Sequence, residues 1–445
     1  MSAAPVFATQ GGRLVPPLPP PGVYVDVSAL GPAAERAPGL MTGVPAFIGY
    51  AEPDSTALER GRLPAVVLDR WNAEAFRRLL KPHDRSFLPM AVRGFFANGG
   101  KRCVVLAVPR GEDAAGLMRV LQPGGLLEER TDIDLVCVPD AFAPPVDDGG
   151  APPGDGKPYA IQAAALAHCE AMGDRFAILD AQEIGSPDLP EQDIVNEVLG
   201  KASSLRSGFG ALYFPWIGSD PMSDAVQVVA PPAGSQEWRC LGRPQAGEAR
   251  GPLGYGPPCG HVAGLIARID VLVGPQRSPA NACLEDVVDT SVHLTAGAHA
   301  RLNQGGVNCL RRLPGRGIEV GGARTLSGHS TLAYVSAVRV VCGFRRWLEV
   351  GLRDLVFEPN STMLWDRIRL RLVSRCLELL SSGALAGTEP VQAFFVKCDS
   401  ETNPPDEIDL GRVVAQVGLA LSTPAEFIVV RVEHDPSGVT VSSLS

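Results

Sequence analysis

The sequence predicts an α/β domain in the middle of the chain and a smaller α+β unit at its C-terminal end. The middle part alternates short apolar runs with segments of helical periodicity, which is typical of a mostly parallel sheet covered by helices. The central segments are the strand Ile133–Val138, the helix Tyr159–Met172, the strand Phe176–Leu179, the helix Asp193–Ser204 and the strand Ala211–Pro215. The flanking segments are the strand Gly43–Ala51, the helices Asp69–Leu80 and Met90–Ala97, the strand Cys103–Val108 and the helix His261–Ile269.

The C-terminal unit is predicted from a different pattern, in which one helix precedes several strands. Its strands are rich in Phe, Val and Ile, as strands half-buried on one face require. The helix is Met363–Leu380, and it is followed by the strand Ala393–Lys397, the polar loop Asp399–Asp409, the apolar run Val413–Leu421 and the strand Glu426–Val432. A connector rich in glycine, Gly315–Thr325, leads towards this unit.

Length and composition indicate a globular protein with two or three domains. The chain has 445 residues, which is too long for one ordinary core, and it is 45% hydrophobic and 20% charged. Its net charge of −9 argues against a nucleic-acid-binding protein, because neutralising phosphates requires a basic face.

The ten cysteines are scattered, and no two of them form a CxxC motif. This pattern predicts reduced and mostly buried thiols in a cytosolic protein, with neither a disulfide framework nor a metal site. The first residues lack a charged start followed by an apolar core, so we expect no secretory signal. No apolar stretch approaches ~20 residues, so no membrane span is expected either.

One segment, Gly254–Gly264 (GYGPPCGHVAG), resembles the nucleophile helix of subtilisin-like proteases, which contains an HVAG run. In those enzymes a serine stands five residues before the histidine, but Gly256 occupies that position relative to His261. An aspartate segment, Val288–Ser291, follows instead of preceding the histidine. Because a catalytic triad needs a nucleophile, a base and an orienting acid, we predict no catalytic residue here. Cys259 is an alternative nucleophile, yet the sequence places no base beside it.

Other polar motifs predict neither a metal nor a cofactor. The turn Asn98–Gly100 is not followed by a helix with Lys-Ser/Thr, as a phosphate loop would be. The pairs Asp147-Asp148 and Glu128-Glu129 are interpreted as solvated surface. Asp399, Asp406 and Asp409 lack the turn glycine and terminal glutamate of a calcium loop.

Four segments between Pro21 and Val432 resemble, in the same order, the contractile tail sheath proteins of myophage tails and related injection particles. They are Pro21–Ser28 with Gly43–Ala51 (PGVYVDVS, GVPAFIGYA), Phe95–Val108 (FFANGGKRCVVLAV), Cys259–Asp270 (CGHVAGLIARID) and the run from Phe357 to Val432 that begins FEPNSTMLWDRIR.

The resemblance implies a structural protein rather than an enzyme. Its subunits would polymerise as stacked hexameric rings around an inner tube, and contraction would drive the tube through a target envelope. Further partners implied are baseplate and terminator or cap proteins, paralogous sheath subunits and a recycling ATPase. The particle would assemble in the bacterial cytoplasm, and the middle domain would have subtilisin-like topology. The alternatives are a subtilisin-like or other α/β hydrolase and a soluble adaptor or baseplate component.

The N-terminal segment allows two interpretations. Prolines 16, 17, 19, 20 and 21 are expected to hold the end of residues 1–20 extended before a short alternating strand. That strand either opens its own domain or adds to a neighbouring subunit's sheet edge. The resemblance implies exchange between subunits, through Val23, Tyr24, Val25 and Val27 at one end and Val439 and Val441 at the other. The domains would then be 1–28, 29–325 and 326–445, the last completed by the N-terminal strand.

The helix Met363–Leu380 combines an apolar face with a basic stripe. Its apolar face consists of Trp365, Ile368, Leu372, Cys376 and Leu379. Arg367, Arg371 and Arg375 recur every four residues beside this face. A solvated helix face is one interpretation. Because the sheath family directs a helix of this domain at the inner tube, the resemblance implies that the three arginines contact the tube.

Overall fold

A computed structural model describes residues 8–10, 13–15, 42–52, 65–83, 85–109, 113–143, 157–184, 189–219, 227–229, 239–241, 254–313, 315–328, 332–424, 429–435 and 438–444. The strands are β1 (Ala8–Gln10), β2 (Arg13–Val15), β3 (Pro45–Tyr50), β4 (Ala65–Leu68), β5 (Cys103–Val108), β6 (Leu135–Cys137), β7 (Phe176–Asp180), β8 (Gly210–Phe214), β9 (Ile217–Gly218), β10 (Gln227–Val229), β11 (Arg239–Leu241), β12 (Tyr255–Gly256), β13 (Asp289–Thr290), β14 (Val307–Leu313), β15 (Gly317–Val320), β16 (Phe394–Lys397), β17 (Gln416–Leu419), β18 (Val429–Asp435) and β19 (Gly438–Leu444).

The helices cover both faces of the main sheet and continue into the C-terminal unit. They are α1 (Ala73–Leu80), α2 (Leu88–Ala97), α3 (Asp113–Leu121), α4 (Lys157–Met172), α5 (Glu191–Ala202), α6 (Cys259–Leu272), α7 (Ala296–Gln304), α8 (Val335–Gly351), α9 (Thr362–Ser381), α10 (Pro390–Ala393) and α11 (Pro405–Asp409). Within the described ranges, none of these helices combines the length and apolarity that crossing a membrane would require.

An eight-stranded sheet forms the centre of the molecule, in the order β15-β14-β8-β7-β6-β3-β5-β4. The six inner strands are parallel, and the edge strands β15 and β4 are antiparallel to their neighbours. The chain runs from β3 to β5 on one side and then returns to β6 on the other. The predicted mixed α/β class is therefore confirmed, whereas the subtilisin-like topology stays an expectation from the resemblance.

The sheet is buried on both faces because its strands are apolar at successive positions. Strand β5 shows this directly: Val104 and Leu106 belong to the core beneath α3, α4, α5 and α7. Cys103 and Val105 belong to the core on the opposite face, which contains α2 and α6. A continuous apolar run thus supplies two cores at once.

The C-terminal unit has its own core, built by α9, β16 and β17. Leu372, Cys376 and Leu379 are the most buried residues that α9 contributes to this core. Helix α8 contributes to both units, since Val338 lies in the sheet core and Leu348 in the C-terminal core. The face of α9 predicted to be apolar is therefore confirmed as buried.

Most predicted elements are confirmed within a few residues, and three segments differ. The connector Gly315–Thr325 contains the edge strand β15, and the polar loop Asp399–Asp409 contains the short helix α11. The predicted extended arm contains β1 and β2, which pair antiparallel. The predicted strand Pro21–Ser28 lies outside the described residues.

Candidate functional site

The carboxyl ends of the parallel strands are where an α/β protein ordinarily binds ligands, close to the point where the strand order reverses. In this chain that point lies between β3 and its neighbours, and Asp140 occupies it. The Asp140 carboxylate accepts hydrogen bonds from the amides of Tyr50 and Phe87, both at 2.6 Å, and from the Ser86 hydroxyl at 2.6 Å. Burial raises the pKa of Asp140, and the hydrogen bonds lower it in part, so that the resulting pKa is about 6. The carboxylate thus ties three backbone segments together.

Aromatic side chains close the same edge of the sheet. The Trp216 ring packs edge-on against Phe87 at 5.1 Å and lies 6.2 Å from Phe142. The indole nitrogen of Trp216 donates to the carbonyl of Ala181 at 2.8 Å. The crevice that would hold a substrate in an α/β enzyme is therefore filled by packed and hydrogen-bonded side chains.

Cys259 is the first residue of α6, and it lies against the end of β7. Its amide donates to the Asp180 carboxylate at 2.8 Å, which places a buried acid at the start of a helix. Burial raises the pKa of Asp180 to about 7 and the pKa of the Cys259 thiol well above its usual value. A thiol with a raised pKa is a poor nucleophile, so this arrangement fixes α6 and does not activate Cys259.

His261 is completely buried between α6 and α2. Neither of its ring nitrogens makes a hydrogen bond, and the nearest carboxylate oxygen, from Asp286, lies 3.9 Å from Nε2. Burial and the nearby Arg93 lower the pKa of His261 to about 3. A neutral imidazole without a hydroxyl or thiol partner has no nucleophile to deprotonate. The residue therefore acts as a packing element.

Two glycines of α6, Gly260 and Gly264, explain why α6 and α2 lie so close. A side chain at Gly260 would collide with the backbone of Ala91, and one at Gly264 with the carbonyl of Phe95. Gly256, at the position of the protease serine, packs against Met90. The motif that resembles a protease thus serves helix packing.

The aspartate segment contacts a third buried acid. The Ser291 hydroxyl donates to Glu183 at 3.0 Å, and burial raises the pKa of Glu183 to about 8. Asp289 instead lies near Arg312 and His293 on the surface side. Across the described parts of the chain, no cluster of histidine, cysteine, aspartate or glutamate could hold a metal ion.

The three arginines proposed for the tube contact have different surroundings on α9. Arg367 pairs with Glu358, and Arg371 donates to Asp354 at 2.6 Å, with both arginines partly exposed. The side chain of Arg375 is only 3% exposed, and its guanidinium lies 5.3 Å from the centre of the Trp347 ring. Arg375 therefore departs from the predicted exposed stripe, because its side chain turns towards α8.

The outward face of α9 carries an apolar row that the sequence interpretation missed. Met363, Leu370 and Leu377 are spaced seven residues apart and are 73%, 65% and 43% exposed. A seven-residue spacing keeps side chains on nearly the same side of a helix, so the signal was available in the sequence. Since the neighbouring arginines are neutralised by carboxylates, the surface offered by α9 is more apolar than basic.

The small sheet of the C-terminal unit has open edges. It consists of β16 and β17 alone, paired from Phe394 opposite Leu419 to Lys397 opposite Gln416. Phe395 is 52% exposed and covers Gly418 on the partner strand. Within the described residues each strand thus has one side without a ladder, and an unpaired edge can accept another strand.

The last strand of the chain, β19, pairs with β18 as a separate hairpin. In it Val439 lies opposite His434, and Val441 lies opposite Val432. The other residues proposed for strand exchange, Val23, Tyr24, Val25 and Val27, lie outside the described residues.

Comparison with known proteins shows which class of proteins the chain resembles. Residues 160–326 match the family model of the phage tail sheath protein central domain. A search of curated protein sequences returned no match. Solved structures of the anti-feeding prophage resemble this chain over most of its length. A chain in the structure of its baseplate is 25% identical with a TM-score of 0.66, and the match covers 94% of this chain and 99% of that one.

Two contracted sheaths are also similar. The helical sheath of the anti-feeding prophage is 25% identical over 94% of this chain and 100% of that one, with a TM-score of 0.64. The PVC sheath of an extracellular contractile injection system is 22% identical over 94% and 99%, with a TM-score of 0.65, and supports the fold. The resemblance to the contractile tail sheath family is therefore confirmed, and the chain is homologous to the sheath proteins of contractile particles.

Proposed function

We propose that this protein is the structural subunit of a contractile sheath, which assembles as stacked hexameric rings around an inner tube and contracts to drive that tube through a target envelope. The observation that carries the proposal is the similarity to a helical sheath over 94% of this chain. The packing of Phe87, Phe142 and Trp216 at the carboxyl edge of the main sheet argues in the same direction, because these described side chains fill the place where a substrate would bind. Contraction would draw its energy from new burial between subunits rather than from a nucleotide.

Neighbouring subunits would be connected by exchanged strands. The open edges of β16 and β17 support this mode, since main-chain hydrogen bonds to an added strand need no particular sequence. The donors would be the segment with Val23, Tyr24, Val25 and Val27, and the C-terminal strand with Val439 and Val441. The chain would then consist of an arm (1–28), a middle domain (29–325) and a C-terminal domain (326–445).

The outward face of α9 would contact the inner tube. Arg367 and Arg371 stand at the border of the apolar row on this face, where pairs that are individually weak can break during contraction. Arg375 would support this face indirectly, because its buried side chain packs on Trp347 and holds α9 against α8. Further partners would be the baseplate, a terminator or cap protein, paralogous sheath subunits and a recycling ATPase.

Electron microscopy of the purified full-length protein in negative stain tests the proposal. We expect tubes or stacked rings with a repeating subunit. Discrete oligomers without any filament would favour the alternative of a baseplate component. A monomer that hydrolyses peptides, and loses this activity in His261→Ala, would favour the hydrolase.

A further inference from the structure

Helix α1 presents a basic face to the solvent. Its residues Phe76 and Leu80 are buried in the core of the main sheet, and its charged residues lie on the opposite side of the helix. Residues 70–81 contain four cations and one carboxylate, all of them exposed. They are Arg70, Glu74, Arg77, Arg78 and Lys81.

Both ends of α1 are fixed by hydrogen bonds. The Asn72 side chain accepts the amide of Ala75 at 2.8 Å at the start of the helix. At its end, the Lys81 amide donates to the carbonyl of Arg77 at 3.0 Å. The cations of this basic face therefore have a fixed spacing, although each side chain reaches into solvent.

The C-terminal unit carries a surface of the opposite sign. Residues 397–412 contain five carboxylates and two cations. The two cations are already paired with Glu401 and Glu407. Helix α11 exposes Asp406 and Asp409, and neither of them forms an ion pair with another described residue. This acidic surface therefore has negative charge that is not compensated nearby.

A buried asparagine holds the acidic surface in one conformation. Asn403 is 1% exposed, and its side chain donates to the carbonyls of Asp399 and Val414, both at 3.0 Å. The same side chain accepts the amide of Val414 at 2.6 Å. Because the backbone on both sides of α11 is fixed in this way, little order is gained on binding a partner, and little entropy is lost.

We propose that the basic face of α1 docks onto the acidic surface of α11 in a second copy of this chain. Copies with a net charge of −9 repel each other unless their contact places opposite charges together. Arg78 and Lys81 are three residues apart, as are Asp406 and Asp409, so each pair spans about one helical turn. The choice of a second copy as the partner rests on the proposed function.

The positions of the two surfaces determine the kind of assembly. Helix α1 packs on the main sheet, whereas Ile408 of α11 packs on the core of the C-terminal unit. One copy can therefore offer its acidic surface to a second copy while its own basic face receives a third. Such a head-to-tail contact repeats and produces rings or helical filaments instead of a closed pair.

Charge reversal on both surfaces of the full-length chain tests the contact. Arg78→Glu combined with Lys81→Glu should raise the protein concentration needed for assembly by about tenfold or more, because like charges then face each other. Asp406→Arg combined with Asp409→Arg should have the same effect. All four substitutions together should restore assembly close to the wild-type concentration, since the opposite charges are then exchanged.

The matched control is Lys157→Glu combined with Arg277→Glu, which changes the net charge equally at exposed positions on other parts of the chain. It should assemble like the wild type, and the melting temperatures of all variants should stay close to that of the wild type. An equal loss of assembly in the control would assign the effect to net charge and overturn the proposed contact.

The remaining outcomes separate this contact from the proposed function. If the wild type assembles but the fourfold variant is not restored, or the reversal variants assemble normally, only the contact between α1 and α11 is refuted. If the wild type itself forms no polymer, the proposed function fails and this contact fails with it.

Discussion

Arg339 of α8 donates to both carboxylate oxygens of Asp270 of α6, at 2.7 and 2.5 Å. The same guanidinium also reaches Asp134 at 3.1 Å, and Asp134 in turn accepts the amides of Gly43 and Val44. The side chains of Arg339, Asp270 and Asp134 are 5%, 0% and 8% exposed. This buried ion cluster joins α8, α6 and the entry to the main sheet.

Replacing Arg339 by methionine should lower the free energy of unfolding by about 3–5 kcal/mol, because two buried carboxylates lose their compensating charge. Chemical denaturation measures the change. The matched control is Arg369→Met on α9, where an exposed pair with Asp366 is lost, and we expect a change below about 1 kcal/mol. Equal effects of both substitutions would refute the role of the cluster.

Gly264→Ala should destabilise the protein by about 1–3 kcal/mol, since its methyl group would collide with the carbonyl of Phe95 where α6 meets α2. Gly343→Ala is the control, because a side chain there meets nothing within 4 Å. Because Gly343 lies inside α8, its replacement by alanine should stabilise the protein by about 0.5–1 kcal/mol. Thermal unfolding of both variants should thus shift in opposite directions.

Stability should fall between pH 6.5 and 8, and Glu183 should be one cause. Burial raises the pKa of Glu183 from 4.5 to about 8. The stability that the protonated side chain contributes is therefore fully present below pH 4.5 and is lost as the pH rises through 8. The slope is about 1.4 kcal/mol per pH unit for one extra proton bound by the folded state. The pKa of His261 is lowered from 6.5 to about 3. Its neutral form therefore stabilises the protein fully above pH 6.5, so His261 does not affect the slope between pH 6.5 and 8.

Glu183→Gln isolates this effect because it keeps the shape and removes the titration. Denaturation at several pH values should give a flatter profile for the variant than for the wild type above pH 7, where Asp180 is already past its pKa of about 7. Parallel profiles would show that Glu183 does not titrate in this range.

Deletion of Met1–Ser28 should leave a folded monomer that does not polymerise, because the deletion removes the strand that we propose is exchanged between subunits. Circular dichroism and electron microscopy together check this result. Substituting Val23 and Val25 by asparagine in the full-length chain is the control for length alone, and we expect it to weaken assembly without abolishing it. Normal tubes formed by the truncated protein would contradict strand exchange.

Replacing Arg367 and Arg371 by alanine should weaken the binding of the inner tube while leaving the fold intact, since both side chains are partly exposed. Co-sedimentation of the assembled sheath with tube protein measures the loss. Arg369→Ala is the control, because it removes the same charge from another side of α9. If the single variants Arg367→Ala, Arg371→Ala and Arg369→Ala all bound the tube equally well, the proposed tube face of α9 would be refuted.

The sequence predicted the elements that have a strong local pattern, and the reason is visible in β5 and α9. Cys103–Val108 is an uninterrupted apolar run, and the buried face of α9 repeats with helical spacing. Strand β15 was missed because its four residues include Glu319 and begin at a glycine. Its place in the sheet depends on pairing with β14, which no local pattern records.

Contacts between residues that are far apart in the chain could not be predicted from the sequence. Arg339 and Asp134 are 205 positions apart and meet only when α8 packs beside the sheet. Arg375 follows the four-residue spacing of Arg367 and Arg371, yet it is buried because Trp347 of α8 covers it.

Helix α8 has a mechanical consequence for the molecule. Val338 and Cys342 lie in the core of the main sheet, whereas Phe344 and Leu348 lie in the core of the C-terminal unit. A force applied to the C-terminal unit is therefore expected to reach the eight-stranded sheet through α8, because this one continuous helix is packed into both cores. We therefore expect the main sheet and the C-terminal unit to unfold in a single transition.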